Sequence, residues 1–243
     1  MILELAKMSG VKVVPIYKQT TIDPPGTTAH VKEMGVEIRR PKETFFQLIE
    51  RKGNPSRYKR FCCEVLKEYK IYDRAIVGIR KAESIRRSVR YNEPEVCRVY
   101  RTGKVRQYYP ILEWTDDDVE RFIKERGIKC APLYYDAGGS FHIERRLGCI
   151  ACPLRSDNGL SDYLRYPKFL RAQIKAYQRY LDKHTTSNWY KTIQGSAINA
   201  FFFYLFCKDK DEYYSLTSDG LFKEAQIDPK AYLEEYFGIS FEA

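Results

Sequence analysis

The sequence contains no apolar segment long enough to cross a membrane as a helix. Its longest apolar run, from Ala200 to Cys207, is far shorter than the roughly 20 residues that span a bilayer, and charged residues follow it. The first residues also lack the basic and apolar regions of a secretory leader. We therefore expect a cytoplasmic protein that has no membrane partner.

Histidine is scarce, and its three occurrences, His30, His142 and His184, are scattered along the chain. This distribution indicates no Ser/His/Asp or Cys/His catalytic set. The seven cysteines are an odd number in a chain without a leader, which argues against a disulfide scaffold. Intracellular thiols or metal ligands are the favoured interpretation of these cysteines.

Positive charge exceeds negative charge, with 42 lysines and arginines against 32 acidic residues and a net charge of +10. Such an excess favours anionic partners such as nucleotides or nucleic acid, although solubility alone is the simpler explanation. Part of the charge is clustered, which favours a binding pocket over a uniformly solvated surface. One cluster precedes Cys62 and another follows a predicted strand: Arg51, Lys52, Arg57, Lys59 and Arg60, then Arg80, Lys81, Arg86, Arg87 and Arg90.

Hydrophobic patterning predicts an α/β unit over residues 1–155 and a helical appendage over residues 156–243. β-Branched residues predict strands at 11–17, 36–39 and 74–79, and residues 96–101 and 105–109 are expected to form a hairpin that turns at Gly103. Thr115 is expected to cap a helix that ends at Gly127. In the appendage, Pro167 is expected to begin a helix, and 197–207 and 229–237 to form two more.

Four of the seven cysteines form two tight pairs, Cys62-Cys63 and Cys149-Ile-Ala-Cys152. Thiolates at these spacings can converge on one metal centre if the chain between them folds back. A helix predicted over 61–69 would place Cys62 and Cys63 about 100° apart in its first turn. That arrangement suits a compact cluster better than a tetrahedral zinc ion, which is the alternative metal. Two unrelated buried pairs are a second alternative.

The cysteines and three further motifs together resemble the phosphoadenylyl-sulfate (PAPS) reductase-like family, in its iron–sulfur, adenylyl-sulfate reductase type branch. The vicinal pair followed by Cys149-Ile-Ala-Cys152-Pro153 resembles the ligand set of that branch's four-iron four-sulfur cluster. Residues 77–84 (VGIRKAES) resemble the family's Gly-x-Arg-x-x-(Glu/Gln)-Ser loop. Residues 109–119 (YPILEWTDDDV) resemble its Pro-Ile-x-x-Trp-x-x-x-Asp-Val helix entry, and residues 132–136 (PLYYD) continue in the family's order.

The resemblance implies an adenine nucleotide α-hydrolase-like fold, in which a parallel sheet wrapped by helices binds ATP or a sulfonucleotide at its strand ends. It implies a four-iron four-sulfur cluster on Cys62, Cys63, Cys149 and Cys152, with zinc as the alternative. Simpler roles compete for two residues: Arg80 as an ion-pair partner and Asp23 as the initiator of a turn. The nucleotide contacts that the resemblance implies are Thr21, Asp23, Arg60, Gly78, Arg80 and Ser84.

Two family features are absent from the sequence. One is the phosphate-binding Ser-Gly-Gly-x-Asp-Ser loop with the strand before it, and we expect roughly 15 to 30 residues upstream of Met1 to supply both. An intact mass of 28.7 kDa for the native protein would contradict this expectation. The other is the C-terminal Glu-Cys-Gly-(Leu/Ile)-His segment with its nucleophilic cysteine. Cys207 lies in an aromatic run and is interpreted as a buried, inert thiol, so no catalytic residue is assigned.

These observations predict a PAPS reductase-like iron–sulfur protein that uses an adenine nucleotide or sulfonucleotide in sulfur transfer or sulfonucleotide reduction. In one alternative the sulfur acceptor is DNA or tRNA, which the net charge and the many tyrosines and phenylalanines favour. In another, the chain is a non-enzymatic, metal-stapled module that binds nucleic acid or protein. A sulfur or electron donor protein and a second copy of the chain, as a homo-oligomer, are further candidate partners.

Overall fold

The chain folds into two units and passes from one to the other at three points. The computed structural model describes residues 1–145, 147–217 and 227–241. Unit 1 comprises Met1–Pro41 and Cys63–Gly148, and unit 2 comprises Lys42–Cys62 and Cys149–Ala243. The domain boundary expected near residue 155 stays a prediction. Residues 218–226 and 242–243 of the expected helical appendage lie outside the described residues.

Helices predominate, and the strands between them are short. Two 3-10 helices, Lys81–Glu83 and Pro132–Tyr134, add to the α-helices. No described helix is both long and apolar enough to cross a membrane. In chain order the elements are α1 (Ile2–Met8), β1 (Ile16–Lys18), α2 (Thr27–Glu33), β2 (Glu37–Arg39), α3 (Phe45–Lys52), α4 (Phe61–Leu66), β3 (Arg74–Ile76), α5 (Ile85–Arg90), β4 (Glu95–Tyr100), β5 (Gly103–Tyr108), α6 (Asp116–Glu125), α7 (Leu160–Arg165), α8 (Pro167–Leu181), α9 (Asn188–Thr192), α10 (Ala197–Phe206), α11 (Lys210–Thr217) and α12 (Pro229–Phe237).

Unit 1 holds two small sheets. β1 pairs in parallel with β2, with Ile16 opposite Glu37, and α2 is the crossover helix between them. In the second sheet β5 lies between β3 and β4. β3 runs parallel to β5, and β4 and β5 form the antiparallel hairpin predicted at Gly103. The parallel pairs and the surrounding helices confirm the α/β fold class.

The prediction of a strand at residues 11–17 is mostly wrong, because β1 begins only at Ile16. Val11, Val13 and Val14 are exposed and lie outside any strand. A parallel strand is defined by a partner far along the chain, so β-branched composition alone does not fix where pairing starts. For the same reason β3 ends at Ile76, three residues before the expected end.

The core of unit 1 gathers around the segment that follows β5. Tyr109, Ile111 and Leu112 are buried there, together with Val119 of α6. α6 begins where expected, because the Thr115 hydroxyl accepts the Asp118 N–H at 3.1 Å and the Asp118 carboxylate accepts the Thr115 N–H at 2.9 Å. This reciprocal cap satisfies two backbone donors that the helix itself leaves without partners. The predicted cap is confirmed.

Unit 2 is built around α8, which begins with a proline in its first turn, as predicted. Its buried stripe of Leu170, Ile174, Tyr177 and Leu181 also matches the periodicity of the sequence. α3 and α10 both pack against α8, and α12 packs on α10. The predicted helices over 197–207 and 229–237 are confirmed, the first ending one residue earlier.

Candidate nucleotide cleft and cysteine segments

A cavity of about 1380 Å³ in unit 1 is lined by residues of both β1 and β3. Most of its lining is apolar, with Val11, Val13 and Val14 from the segment before β1 and with Ile2 and Ala6 from α1. The three valines are 36% to 56% exposed. Contiguous apolar surface of this kind marks a place that another group covers. The cleft is therefore a candidate binding site.

Backbone edges form part of the cleft wall. Successive residues of a strand direct their backbone N–H and C=O groups to opposite sides. In β1, the hydrogen bonds to β2 therefore leave the backbone groups of Ile16 and Lys18 directed away from β2. In β3 the same alternation directs the backbone groups of Arg74 and Ile76 away from β5. All four residues line the cleft.

The loop after β1 is organised by the carboxylate of Asp23. Its Oδ1 accepts the hydroxyl groups of Tyr17 at 2.6 Å and Thr20 at 2.8 Å, and its Oδ2 accepts the Thr20 N–H at 2.8 Å. Thr21 has a φ of 64°, in the left-handed region that most residues avoid. Asp23 thus holds a turn, which was its simpler interpretation. The nucleotide contacts expected of Thr21 and Asp23 stay predictions.

The loop after β3 contains the second group of predicted site residues. Gly78 lines the cleft. Arg80 is buried, and its guanidinium lies 2.7 Å from the Asp116 carboxylate and donates to the Trp114 carbonyl at 3.4 Å. The Ser84 hydroxyl accepts a backbone N–H of α5 at 3.2 Å and so caps that helix. The guanidinium and the hydroxyl therefore have structural partners, and their nucleotide contacts stay predictions.

Lys18 is a charged cleft residue that the sequence analysis missed. Its ammonium group donates to the carbonyls of Lys67 and Tyr69 and lies 4.2 Å from the centre of the Tyr69 ring. Burial lowers the pKa of Lys18 below the ordinary lysine value. A lysine in a three-residue strand belongs to no motif, so no sequence signal pointed to it.

The structure brings part of the predicted nucleotide site together. Two loops that follow parallel strands reach one cleft, and the carboxyl ends of strands are where α/β domains bind ligands. Among the described residues, Asp23 and Gly78 line the cleft, Thr21, Arg80 and Ser84 do not, and Arg60 belongs to unit 2.

Cys62 and Cys63 lie half-buried in the first turn of α4, as predicted. In unit 2, the segment before α4 is anchored by side chains that the sequence analysis also missed. The Tyr163 hydroxyl donates to Gln173 Oε1 at 3.0 Å, and Gln173 Nε2 donates to Asn54 Oδ1 at 2.7 Å. Gln173 and Asn54 are 119 positions apart, and no local pattern could have linked them.

Cys149 and Cys152 lie at the two ends of a tight turn in unit 2, and both are half-buried. The Ala151 N–H donates to Asp162 Oδ2 at 2.8 Å, and Ala151 has a φ of 51°. A Cβ atom on Gly159 would lie only 2.7 Å from Ala151 Cα. The shape of the turn is thus fixed by a carboxylate and by a close backbone approach that only glycine permits.

The four cysteines are divided between the units, because Cys63 belongs to unit 1 and the other three to unit 2. Four thiolates are the donor set of common iron–sulfur clusters, so the residue types fit such a group. Within residues 1–145, 147–217 and 227–241, however, no three or more His, Cys, Asp or Glu side chains are arranged to hold a metal ion. The iron–sulfur cluster and its zinc alternative stay predictions.

Cys207 is half-buried in unit 2, after the end of α10. Burial, assisted by the carboxylates of Glu212 and Asp209, raises the pKa of Cys207 to about 11. The thiolate is the nucleophilic form, and it is scarce at neutral pH when the pKa is so high. The raised pKa is consistent with an unreactive thiol, but Cys207 is half-buried and not buried as expected, and its inertness stays a prediction.

Parallel strand pairs with surrounding helices, and loops after β1 and β3 that reach one cleft, define a domain of the α/β class. Residues 18–155 match the family model of the phosphoadenosine phosphosulfate reductase domain. Because this match covers more than half of the chain, the chain belongs to that family.

A curated relative from Escherichia phage 186 is described as an uncharacterized 37.8 kDa protein in the gpa 5' region. The two proteins are 29% identical over 160 residues, which cover 59% of this chain and 45% of the phage protein. The chain thus matches less than half the length of that relative.

Replacing Gly159 with alanine should lower the free energy of unfolding by more than about 1 kcal/mol. The change combines a φ of 87° with a Cβ atom placed against the backbone of Ala151. Gly238→Ala is the matched control, because its φ is 61° and its added Cβ meets no atom within 4 Å. Urea denaturation should show the larger loss for Gly159→Ala, and equal losses would contradict the close approach.

Asp157 of unit 2 should make the free energy of unfolding depend on pH in the acid range. Burial acts to raise the pKa of Asp157, but hydrogen bonds from Ser161 and Gly159 and the charge of Arg155 outweigh it and lower the pKa to about 2. Because the folded-state pKa lies below the ordinary value of about 3.9, the stabilisation is present above about pH 4 and is lost as the pH falls towards 2.

The stability difference between the wild type and Asp157→Asn, measured by denaturation across this range, should therefore shrink as the pH falls. Asp211→Asn, which changes an exposed acid of α11 in the same unit, serves as the control. A difference for Asp157→Asn that is constant from pH 6 to about pH 2 would contradict the assignment.

Proposed function

We propose that the chain binds an adenine nucleotide or a sulfonucleotide at the cleft of unit 1 and uses it in sulfur transfer or sulfonucleotide reduction. The observation that carries this proposal is that Asp23 and Gly78, on the loops after β1 and β3, line one cleft. Family membership supports the sulfonucleotide class of chemistry. A cytoplasmic location, a sulfur or electron donor protein and self-association belong to the same proposal.

Asp23 has capacity for a further contact. A carboxylate offers about four acceptor positions, and Tyr17 and Thr20 fill three of those on Asp23. About one position is therefore left for a ribose hydroxyl or an adenine amino group. Lys18 is a cation of the cleft lining that an anionic ligand can contact, and Lys12, Lys67 and Arg74 line the same cleft.

We also propose that Cys62, Cys63, Cys149 and Cys152 hold a four-iron four-sulfur cluster, with zinc as the alternative. When bound, such a cluster would supply electron transfer. The chain's own contribution in unit 2 is to set the spacing of Cys149 and Cys152 through the Ala151 turn.

Saturating nucleotide should stabilise the protein against heat if the cleft is its site. Ligand at about 100 times its dissociation constant adds about 2.7 kcal/mol, which raises the melting midpoint by several degrees. Adenylyl sulfate, PAPS and ATP are compared on the full chain by thermal denaturation, and Asp23→Asn should reduce the shift. Glu120→Gln, which changes an exposed acid of α6, should not. If no nucleotide shifts the midpoint, the non-enzymatic module becomes the better explanation.

Anaerobically purified protein should contain iron and acid-labile sulfide, and Cys149→Ser should lose both, because a hydroxyl is a poor replacement for a thiolate ligand. Cys97→Ser is the matched control, since Cys97 is an exposed strand cysteine outside the two pairs. Iron-free protein would contradict the cluster, and stoichiometric zinc would favour the alternative metal.

A further inference from the structure

Tyr58 is 97% exposed, the largest exposed fraction among the large apolar and aromatic side chains of the described residues. Its neighbours in sequence are Arg57, Lys59 and Arg60, and all three are exposed as well. Burying a tyrosine ring is worth several kcal/mol of transfer free energy, so folding usually covers most of it. A ring left in solvent among cations is a candidate contact surface.

The backbone that carries Tyr58 is an ordered turn of unit 2, which we call the Tyr58 turn (residues 56–59). The Ser56 hydroxyl accepts the N–H groups of Tyr58 at 3.3 Å and Lys59 at 3.1 Å, and the Ser56 N–H donates to the Lys59 carbonyl at 3.2 Å. Pro55 before the turn is buried. The exposure of Tyr58 therefore results from a defined conformation that holds the ring outward.

The turn is also fixed by Arg57, whose guanidinium donates to the Arg155 carbonyl at 2.9 Å. Asn54, two residues before the turn, is held by Gln173. A loop that is ordered before it binds loses less entropy when its partner arrives. The Tyr58 turn is thus built in advance for contact.

Within the part of the chain that the structure describes, Arg57 and Lys59 of the Tyr58 turn differ from other cations of unit 2 in their lack of an acidic partner. Arg51 lies 2.7 Å from the Glu43 carboxylate, and Arg179 is paired with Glu50 at 2.5 Å. Among the described residues, neither Arg57 nor Lys59 forms an ion pair with a carboxylate. Neither charge is compensated by a carboxylate there, and both cations can contact an anionic partner.

We propose that the Tyr58 turn binds single-stranded nucleic acid, with a base stacked on the Tyr58 ring and phosphates contacted by Arg57 and Lys59. Stacking on an exposed aromatic side chain together with contacts from flanking cations is the usual means of binding a single strand without regard to sequence. Arg57 can contribute because a guanidinium has five donors and the Arg155 carbonyl uses one.

Two other anionic surfaces fit the turn less well. An acidic protein would pair with the cations, but carboxylates make no use of an isolated ring, which the face of an unpaired base matches. A membrane surface favours an amphipathic helix or a run of basic residues with several apolar anchors, and the Tyr58 turn is neither helical nor apolar apart from one ring. Every nucleotide of a single strand carries both a base face and a phosphate, so nucleic acid uses both features of the turn.

The test measures fluorescence anisotropy of labelled DNA and RNA single strands of about 12 nucleotides, with the full chain and no added nucleotide. Tyr58→Ala should weaken binding about 5- to 100-fold, and Tyr58→Trp should preserve it, because a larger ring still stacks. Lys59→Gln should reduce the slope of log affinity against log salt by about 0.7, the effect of one phosphate contact on a single strand. The DNA and RNA arms show which nucleic acid is preferred.

Matched controls separate the turn from general charge and exposure. Tyr72→Ala removes a 47% exposed ring of unit 1, and Lys183→Gln removes an exposed cation elsewhere in unit 2, and both should leave the affinity unchanged. Wild-type affinity in Tyr58→Ala, or no binding of either strand at low salt, would overturn the proposal. Stronger competition by polyglutamate than by an unlabelled single strand would also overturn it, in favour of an acidic protein. Because nucleotide is absent, these outcomes are independent of those at the cleft.

Discussion

A buried guanidinium organises the loop end of unit 1. Arg80 is buried, and its charge is met by the Asp116 carboxylate and the Trp114 carbonyl. A buried cation without such partners would cost several kcal/mol, so the loop after β3 has to remain against the start of α6. The Lys81 N–H reinforces this arrangement by donating to the Leu112 carbonyl at 2.8 Å. The loop after β3 and the start of α6, which are separate motifs in the sequence, thus pack against each other.

This packing bears on how the cleft recognises an anion. Asp116 is in the first turn of α6, where a negative charge is favoured by the helix dipole. A phosphate at Arg80 would compete with that carboxylate for the charge of the guanidinium. Lys18 has no such competitor, because its contacts are neutral carbonyl groups and an aromatic ring. For the nucleotide site proposed in the cleft, the anion contact is therefore better attributed to Lys18, which lines the cleft, than to Arg80, which does not.

Much of the helical structure could be predicted, because its signals are local. The Thr115 cap, the proline at the start of α8 and the turn at Gly103 each act within a few residues, and each is found where expected. β1 was predicted too long, because a parallel strand takes its limits from a partner about 20 residues away, as Ile16 does from Glu37. Residue type indicated where strands belong, while pairing decided their length.

The site was predictable only where chemistry and local pattern coincide. Cys62 and Cys63 lie in the first turn of α4 because a short amphipathic segment places them there. Gln173, Asn54 and Asp162 fix the segments around the cysteines, yet they are ordinary polar residues whose partners are set by the tertiary fold. Sequence can therefore indicate candidate ligands before it can indicate the residues that position them.

The net charge of +10 shows why a total is a poor guide to a binding surface. Arg80 is compensated within the fold, and Arg51 and Arg179 are compensated on the surface of unit 2. Ion pairs of that kind reduce the field outside the protein within a Debye length. The cations that can attract an anion are those without an acidic neighbour, such as Arg57 and Lys59 beside the exposed Tyr58 ring. Function at this surface thus depends on which charges the fold leaves uncompensated, a property that composition does not contain.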